Sequence, residues 1–193
     1  MADLNSNRPA LLIIDMVKDN FDERKRLAIT PFAKSIIAPI NRLIRHFRSH
    51  NWPIVFSTDA FHEEDFIFKG ILKPHSIAGT KGAEVIDELD RDDEDLWLPK
   101  PKFSAFFDTN LDEWLKERGV TLCAVAGITT NFCVLTTVMD ALCSDFKTVL
   151  LEDCTAAVTE NIHEQTLNIY RRNAMYPLFK IASSTELMSD LKT

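Results

Sequence analysis

Three residues with chemically useful side chains each follow a short apolar run of the sequence: Asp15, Lys100 and Cys133. Asp15 comes directly after "ALLII", Lys100 comes after "DLWLP", and Cys133 lies a few residues beyond "LCAVAG". A thiol can attack a carbonyl carbon, a carboxylate can accept the thiol proton, and an ammonium group stabilises neighbouring anions. Ligands of open parallel sheets bind beyond the carboxyl ends of the strands. If the apolar runs are strands, these positions predict one shared site.

Each of the three residues also has a purely structural explanation. A carboxylate at a strand end can cap the next turn, a lysine between two prolines can be solvated, and an unpaired cysteine often packs as a small hydrophobe. Cys133 is distinguished by its place in the first turn of a predicted helix, where the dipole and free N–H groups favour a thiolate and can bind an oxyanion. No such setting surrounds the other cysteines, which we interpret as structural: Cys123, Cys143 and Cys154.

The elements that would position these residues are visible in the hydropathy pattern. Four apolar runs are continuous, as in parallel strands covered on both faces; they span residues 10–14, 53–57, 122–126 and 148–151. An apolar stripe at helical spacing predicts a helix over 36–47. Further helices are predicted at 82–89, 109–118, 131–145, 159–174 and 184–191.

This alternation of strands and helices predicts the fold class. Short connections between the elements indicate a three-layer αβα fold with a doubly wound, mostly parallel, Rossmann-like sheet. We expect a single domain over residues 1–193. Ser183 with Glu186 three residues later predicts a capping box, and the aromatic-containing segment 59–81 predicts a functional loop.

The composition argues against several kinds of partner. A formal net charge of -7 opposes binding to nucleic acid, whose phosphates need clustered Lys and Arg. No apolar run approaches the roughly 20 residues that span a bilayer, and "MADLNSNRPALLIID" has no leader pattern. Five glycines without a G-x-G-x-x-G or P-loop motif argue against a nucleotide cofactor. Four cysteines without a C-x-x-C pair predict free thiols in a cytoplasmic protein.

Four stretches, in order along the chain, resemble the motifs of the isochorismatase-like cysteine hydrolases, the superfamily that includes nicotinamidases and carbamoylsarcosine amidohydrolases. They are "LLIIDMVKDNF", "PHSIAGTKGAEVIDEL", "KPKFSAF" and "GITTNFCV". The resemblance implies that Asp15, Lys100 and Cys133 form a catalytic triad. It also implies a cis peptide between Ile128 and Thr129, which would turn the Thr129 N–H toward the same point as that of Cys133.

The activity implied by the resemblance is hydrolysis of the C–N bond of a small amide. Asp15 would take the thiol proton, the sulfur of Cys133 would attack the carbonyl, and two backbone N–H groups would hold the oxyanion. The same carboxylate would then protonate the leaving amine and activate the water that opens the thioester. Lys100 would hold Asp15 in place and stabilise the thiolate.

The sequence departs from nicotinamidases at the residues that would bind a metal. Nicotinamidases bind a divalent ion through a D-x-H pair and a later histidine. Here the spacing is D-x-x-H, with Asp59 and His62, although His75 lies where the later histidine would be. Convergence of these three residues on zinc is the less favoured alternative. We therefore predict no metal and no other cofactor.

Two other functions keep the same fold. One is hydrolysis of a vinyl ether, as in isochorismatases, which needs no nucleophilic sulfur; the other is a non-catalytic module that binds small molecules. Fast alkylation of Cys133 by iodoacetamide would favour the amide hydrolase. The apolar residues of segment 59–81 also predict a homo-oligomer.

Overall fold

The computed structural model describes residues 8–191, which form an α/β fold around one six-stranded sheet. All neighbouring strands are parallel, and their spatial order is β3-β2-β1-β4-β5-β6. The strands are β1 (Pro9–Ile14), β2 (Ile54–Asp59), β3 (Leu96–Lys100), β4 (Leu122–Ile128), β5 (Lys147–Ala156) and β6 (Phe179–Ala182). Predictions about a leader and about one domain over 1–193 include residues outside the described range.

Helices lie between most pairs of successive strands and after β6, and they cover both faces of the sheet. They are α1 (Lys18–Phe21), α2 (Thr30–Ser35), α3 (Ile37–Ser49), α4 (Leu111–Glu117), α5 (Leu135–Cys143), α6 (Glu160–Tyr170) and α7 (Ser184–Asp190). Short 3-10 turns occur at Glu23–Lys25, Phe66–Lys69 and Lys81–Ala83, and a π-helical turn at Thr130–Val134 leads into α5. No helix within residues 8–191 combines the length and apolarity needed to cross a bilayer.

Two apolar cores lie on opposite sides of the sheet, because alternate side chains of a strand point to opposite faces. Leu11 and Ile13 of β1 belong to one core, which also contains the apolar stripe of α3. Leu12 and Ile14 belong to the other core, which contains buried residues of α4, α5 and α6. All six residues of β1 are buried, as expected for a central parallel strand. The predicted three-layer fold is confirmed.

The predicted helix over 82–89 is wrong. After the 3-10 turn at Lys81–Ala83, the chain runs beside residues 16–18 rather than coiling. Val85 pairs with Val17, the Ile86 N–H donates to the carbonyl of Met16 at 3.0 Å, and the Lys18 N–H donates to that of Glu84 at 2.9 Å. Backbone groups that a helix would pair internally are therefore paired with another segment.

The short helices α1 and α2 were not predicted, and the remaining predicted helices agree with the structure except at their ends. The helix predicted over 131–145 begins with the π turn, and the one predicted over 159–174 ends at Tyr170. Strand β6 was not predicted, and Cys154 lies inside β5 rather than after it. The capping box is confirmed, because the Ser183 hydroxyl accepts from the Glu186 N–H at 3.2 Å and the Glu186 carboxylate accepts from the Ser183 N–H at 2.8 Å.

Candidate active site

Asp15 lies immediately after β1, where the chain bends away from the sheet. Its backbone adopts a left-handed conformation, with φ of 54°, which is uncommon for a residue with a side chain. The Asp15 N–H donates to the carbonyl of Ser57 at 2.9 Å, and the Asp15 carbonyl accepts from the side-chain amide of Asn20 at 3.0 Å. These bonds tie the bend to β2 and to α1, so the carboxylate is held in one direction.

Gly127 allows β4 to pass very close to the end of β1. Its φ is 107°, and a Cβ atom there would lie 2.1 Å from the carbonyl oxygen of Ile14. Contacts of this length do not occur, so any side chain would force the two strands apart next to Asp15. The glycine of "GITTNFCV" thus has a physical reason at this position.

Lys100 ends β3 and is completely buried, yet its ammonium group is fully hydrogen-bonded. The Lys100 Nζ donates to Asp15 Oδ2 at 3.0 Å, to Asp59 Oδ1, and to the carbonyl of Lys102 at 3.2 Å. Burial alone would lower the pKa of Lys100, but the charges of the two aspartates outweigh it and raise that pKa. The lysine is therefore a permanent cation shared by two carboxylates.

Asp59 brings a second carboxylate into the site, from the last position of β2. Its side chain is in contact with Lys100 Nζ, and its N–H donates to Asp15 Oδ1 at 2.8 Å. Burial, followed by the charge of Asp15, raises the pKa of Asp59 to about 7, although Lys100 opposes that rise. From the sequence, Asp59 was predicted only as an alternative metal ligand. Its place at a strand end, equivalent to that of Asp15, is the signal that would have assigned it to this cluster.

Cys133 lies in the π turn, with its sulfur close to both carboxylates. The sulfur and one oxygen each of Asp15 and Asp59 all lie within 4.8 Å of one another. Cys133 is 9% exposed, against 3% for Asp15 and 0% for Lys100, so it is the most accessible of the three.

The surroundings of the sulfur oppose the thiolate that the helix end and the cation would favour. Burial and then the negative charge of Asp15 raise the pKa of the Cys133 thiol well above its ordinary value, and the ammonium of Lys100 offsets only part of this. The helix end and the cation are visible in the sequence, whereas the desolvation of the sulfur and the nearby charge of Asp59 arise only in the folded chain. Cys133 is therefore a thiol next to a base.

The turn that carries Cys133 begins with an unusual backbone feature. The peptide bond between Ile128 and Thr129 is cis, at the place that the motif resemblance implied. The next residue, Thr130, is buried, and its Oγ1 lies 2.8 Å from Nδ1 of His163 on α6. One turn into α5, the hydroxyl of Thr137 accepts from the N–H of Ala105 at 3.1 Å. The contacts of Thr130 and Thr137 were not predicted from the sequence.

The residues proposed as metal ligands do not come together. Among residues 8–191, the group with metal-ligating atoms within 4.8 Å of one another is Asp15, Asp59 and Cys133, and it includes neither His62 nor His75. His62 is exposed, and the ring of His75 packs against aromatic neighbours while its Nδ1 lies 2.9 Å from the carbonyl of Lys73. The Asp59 carboxylate already contacts an ammonium. The nicotinamidase type of metal site therefore does not fit these residues.

The position that would supply the histidine of a D-x-H pair is Phe61. This side chain is fully buried, and its ring centroid lies 5.5 Å from that of Phe68 and 5.7 Å from that of His75. The three rings contact one another edge to face, an arrangement that aromatic quadrupoles favour. We call these three residues the aromatic cluster. The cluster is held together by the packing of its rings, whereas a metal centre would need ligand atoms that converge on one point.

Comparison with known proteins agrees with this geometry. The model of the isochorismatase domain matches residues 9–185, and the chain therefore belongs to the isochorismatase family. A protein of Arabidopsis thaliana named as a probable inactive nicotinamidase is 34% identical over 171 residues, which cover 83% of this chain and 85% of that protein.

Solved structures of two enzymes are also similar. N-carbamoylsarcosine amidase from Thermoplasma acidophilum superposes with a TM-score of 0.78 at 30% identity, covering 92% of this chain and 96% of that one. Pyrazinamidase of Pyrococcus horikoshii, determined in complex with zinc, has a TM-score of 0.78 at 26% identity and covers 91% and 99%. Family members are thus hydrolases that include amidases, and some of them bind zinc.

Proposed function

We propose that the protein is a cysteine hydrolase that cleaves the C–N bond of a small amide through a thioester on Cys133. The observation that supports this most directly is the contact of one buried ammonium, that of Lys100, with Asp15 beside the sulfur. A nucleophile, a base and a cation that orients the base are the components that acyl transfer requires. The remaining two components are an oxyanion site and a leaving-group acid.

The proposed first step transfers the thiol proton to Asp15 as the sulfur attacks the carbonyl carbon. The raised pKa of Cys133 supports this order, because the proton stays on sulfur until the attack. The N–H groups of Thr129 and Cys133 hold the oxyanion. Asp15 then gives the proton to the nitrogen, the C–N bond breaks, and the amine leaves.

The proposed second step hydrolyses the thioester. Asp15 takes a proton from water, the hydroxide oxygen bonds to the carbonyl carbon, and the proton returns to sulfur as the C–S bond breaks. Lys100 keeps its contacts to both carboxylates through the cycle, so it orients Asp15 and stabilises its charge without transferring a proton. No external oxidant, reductant or cofactor enters the reaction.

The substrate class that we propose takes account of the metal ligands of the nicotinamidase type, which do not come together here. A substrate bound through a ring nitrogen on a metal needs ligands that Asp59, His62 and Phe61 do not provide here. We therefore favour linear amides of the carbamoyl or carboxamide type over aromatic carboxamides. Two partly exposed rings, Phe103 and Phe132, come from the segments after Lys100 and before Cys133, with centroids 6.2 Å apart. They offer an apolar surface for the rest of such a substrate.

The non-catalytic module remains the second candidate, because the Arabidopsis relative carries the name of a probable inactive nicotinamidase. The two proposals differ in one observable, the covalent intermediate. A binding module holds an amide without acylation of Cys133. A vinyl-ether hydrolase would keep its turnover when the sulfur is removed.

The test is ammonia release from a panel of amides: nicotinamide, pyrazinamide, several N-carbamoyl amino acids and simple aliphatic amides. Wild-type protein should release ammonia from at least one linear amide and show the acyl mass on Cys133 in quenched samples. Cys133→Ser should lose both signals. Cys143→Ser, which changes an exposed cysteine of α5, is the matched control and should keep them. Binding without ammonia or acylation in wild-type protein would instead establish the module.

A further inference from the structure

The π turn that carries Cys133 is connected to a second element by one buried side-chain hydrogen bond. Thr130 Oγ1 and His163 Nδ1 are 2.8 Å apart, and the two residues are 33 positions apart in the chain. Thr130 is 0% exposed and His163 is 7% exposed. A buried bond of this kind is costly to leave unpaired, so it constrains both segments.

Thr130 is placed where a constraint would affect the reacting atoms. It directly follows Thr129, whose N–H belongs to the proposed oxyanion site, and it lies three residues before Cys133. The backbone of the turn is also closed on itself, since the N–H groups of Phe132 and Val134 donate to the carbonyl of Thr129 at 3.0 and 3.3 Å. A shift of the Thr130 side chain therefore moves the whole turn.

His163 is itself held in the first turn of α6. Its N–H donates to the carbonyl of Thr159 at 3.1 Å, and the hydroxyl of Thr159 caps the helix by accepting from the N–H of Ile162 at 3.2 Å. The imidazole is thus anchored on the helix that follows β5, and in the sheet β5 lies on the other side of β4 from the strands that precede Asp15 and carry Lys100.

We propose that His163 is a positioning residue of the hydrolase, acting through Thr130 to fix the turn that presents Cys133 and the oxyanion N–H groups. The role rests on the proposed function. His163 does not exchange a proton with substrate; in either neutral tautomer its Nδ1 makes one hydrogen bond with the threonine hydroxyl. Ionic contacts hold Asp15 and Lys100 beside the sulfur, and the bond between Thr130 and His163 holds the turn that carries it.

The test is a double-mutant cycle on the full-length chain. His163→Leu and Thr130→Val each remove the bond with little change of volume. Each should lower kcat about tenfold at a KM within about twofold of wild type, because a displaced oxyanion site weakens only transition-state binding. The double variant should lose no more than the worse single variant, since both changes remove one interaction.

Conservative variants and a control separate positioning from general stability. His163→Asn and Thr130→Ser keep a hydrogen-bonding group and should retain at least half of the wild-type kcat. Thr166→Val removes a hydroxyl that bonds only within α6, to the carbonyl of Ile162 at 2.7 Å, and should keep wild-type kcat even if the melting temperature falls. Full kcat in folded Thr130→Val, losses that multiply in the double variant, or an equal loss in Thr166→Val would overturn the proposal.

A substrate-independent measurement keeps the inference separate from the proposed function. The iodoacetamide alkylation rate of Cys133, followed by mass spectrometry, should rise about threefold or more in Thr130→Val and His163→Leu, because a loosened turn exposes a buried sulfur. It should stay at the wild-type rate in Thr166→Val. If no amide is hydrolysed by wild-type protein, the proposed function fails while this rate still decides the positioning role. Unchanged rates in both variants would contradict it.

Discussion

Two regions of the molecule, the charged cluster at the strand ends and the connection from β2 to β3, are held by different forces. Around Lys100, three strand ends contribute charged side chains that are buried and hydrogen-bonded to one another. In the connection from β2 to β3, residues 60–95, the contacts that hold the first half include the aromatic cluster, one bridge between Phe61 and Ile77, and a hydrogen bond from the Ser76 N–H to Asp19 at 2.7 Å. It also exposes Phe66 and Ile71.

This difference indicates a division of roles. The charged cluster has little freedom, because moving one member leaves another buried charge without its partner. The connection is held by weaker contacts that substitutions can alter one at a time. The reaction type would depend on the first region and the choice of substrate on the second. Because the connection exposes apolar residues such as Phe66 and Ile71, a homo-oligomer is still expected.

The largest expected effect is that of Lys100→Met, which leaves two buried carboxylates without a cation. We expect loss of more than about 3 kcal/mol of unfolding free energy and loss of measurable hydrolysis. Lys102→Met is the matched control, because Lys102 is partly exposed and contacts Asp65 at 3.3 Å; its cost should stay below about 1 kcal/mol. Urea unfolding and ammonia release measure both. A Lys100→Met protein as stable as wild type would show that the cluster is not a structural unit.

Asp15→Asn should separate catalysis from thiol ionisation. Hydrolysis should fall by a factor of about 100 or more, because the general base is removed. Alkylation of Cys133 at neutral pH should become faster, since the charge of Asp15 is a main cause of the raised thiol pKa. Asp65→Asn is the control for a change of net charge outside the cluster. Slower alkylation in Asp15→Asn would mean that the carboxylate promotes ionisation of the sulfur instead.

Asp59→Asn should change how stability depends on pH. The folded-state pKa of Asp59 is about 7, above its ordinary value of 3.8. Between these pH values the folded protein holds a proton that the unfolded chain has released, so this group makes the unfolding free energy fall as pH rises through that window. In the variant, the decrease in unfolding free energy across this pH window should be smaller than in wild type by roughly 2 to 4 kcal/mol. Urea titrations at pH 5, 6, 7 and 8 measure it, and parallel curves for variant and wild type would refute the assignment.

The smallest expected effect is that of Phe68→Ala in the aromatic cluster. The variant loses two edge-to-face contacts, to Phe61 and to His75, so its unfolding free energy should fall by about 1 to 3 kcal/mol. We expect a KM several times higher with kcat nearly unchanged, because the charged cluster is untouched. Phe66→Ala is the control, since that ring is 84% exposed. A fall in kcat comparable to that of Asp15→Asn would show that the two regions are not separable.

The parts of the site that lie on strands were predictable from the sequence. A continuous apolar run identifies β1 as a buried parallel strand that ends before Asp15, and Lys100 follows the run "DLWLP", so a meeting of the two residues is expected if both runs are strands of one parallel sheet. The segment 82–89 was not predictable, because its hydrogen bonds go to residues 16–18, about 70 positions away. The thiol pKa likewise depends on desolvation and on Asp59, and neither appears in a local pattern.

The three hydrogens of the Lys100 ammonium have a consequence for the end of the reaction. All of them are directed to oxygen atoms of the protein, so the cation has none to offer to an incoming anion. In the proposed reaction the acid product would form on the Cys133 sulfur, which lies within 4.8 Å of a carboxylate oxygen of Asp15. The negative charge of Asp15 would then repel the product carboxylate toward solvent, and we expect weak inhibition by the product.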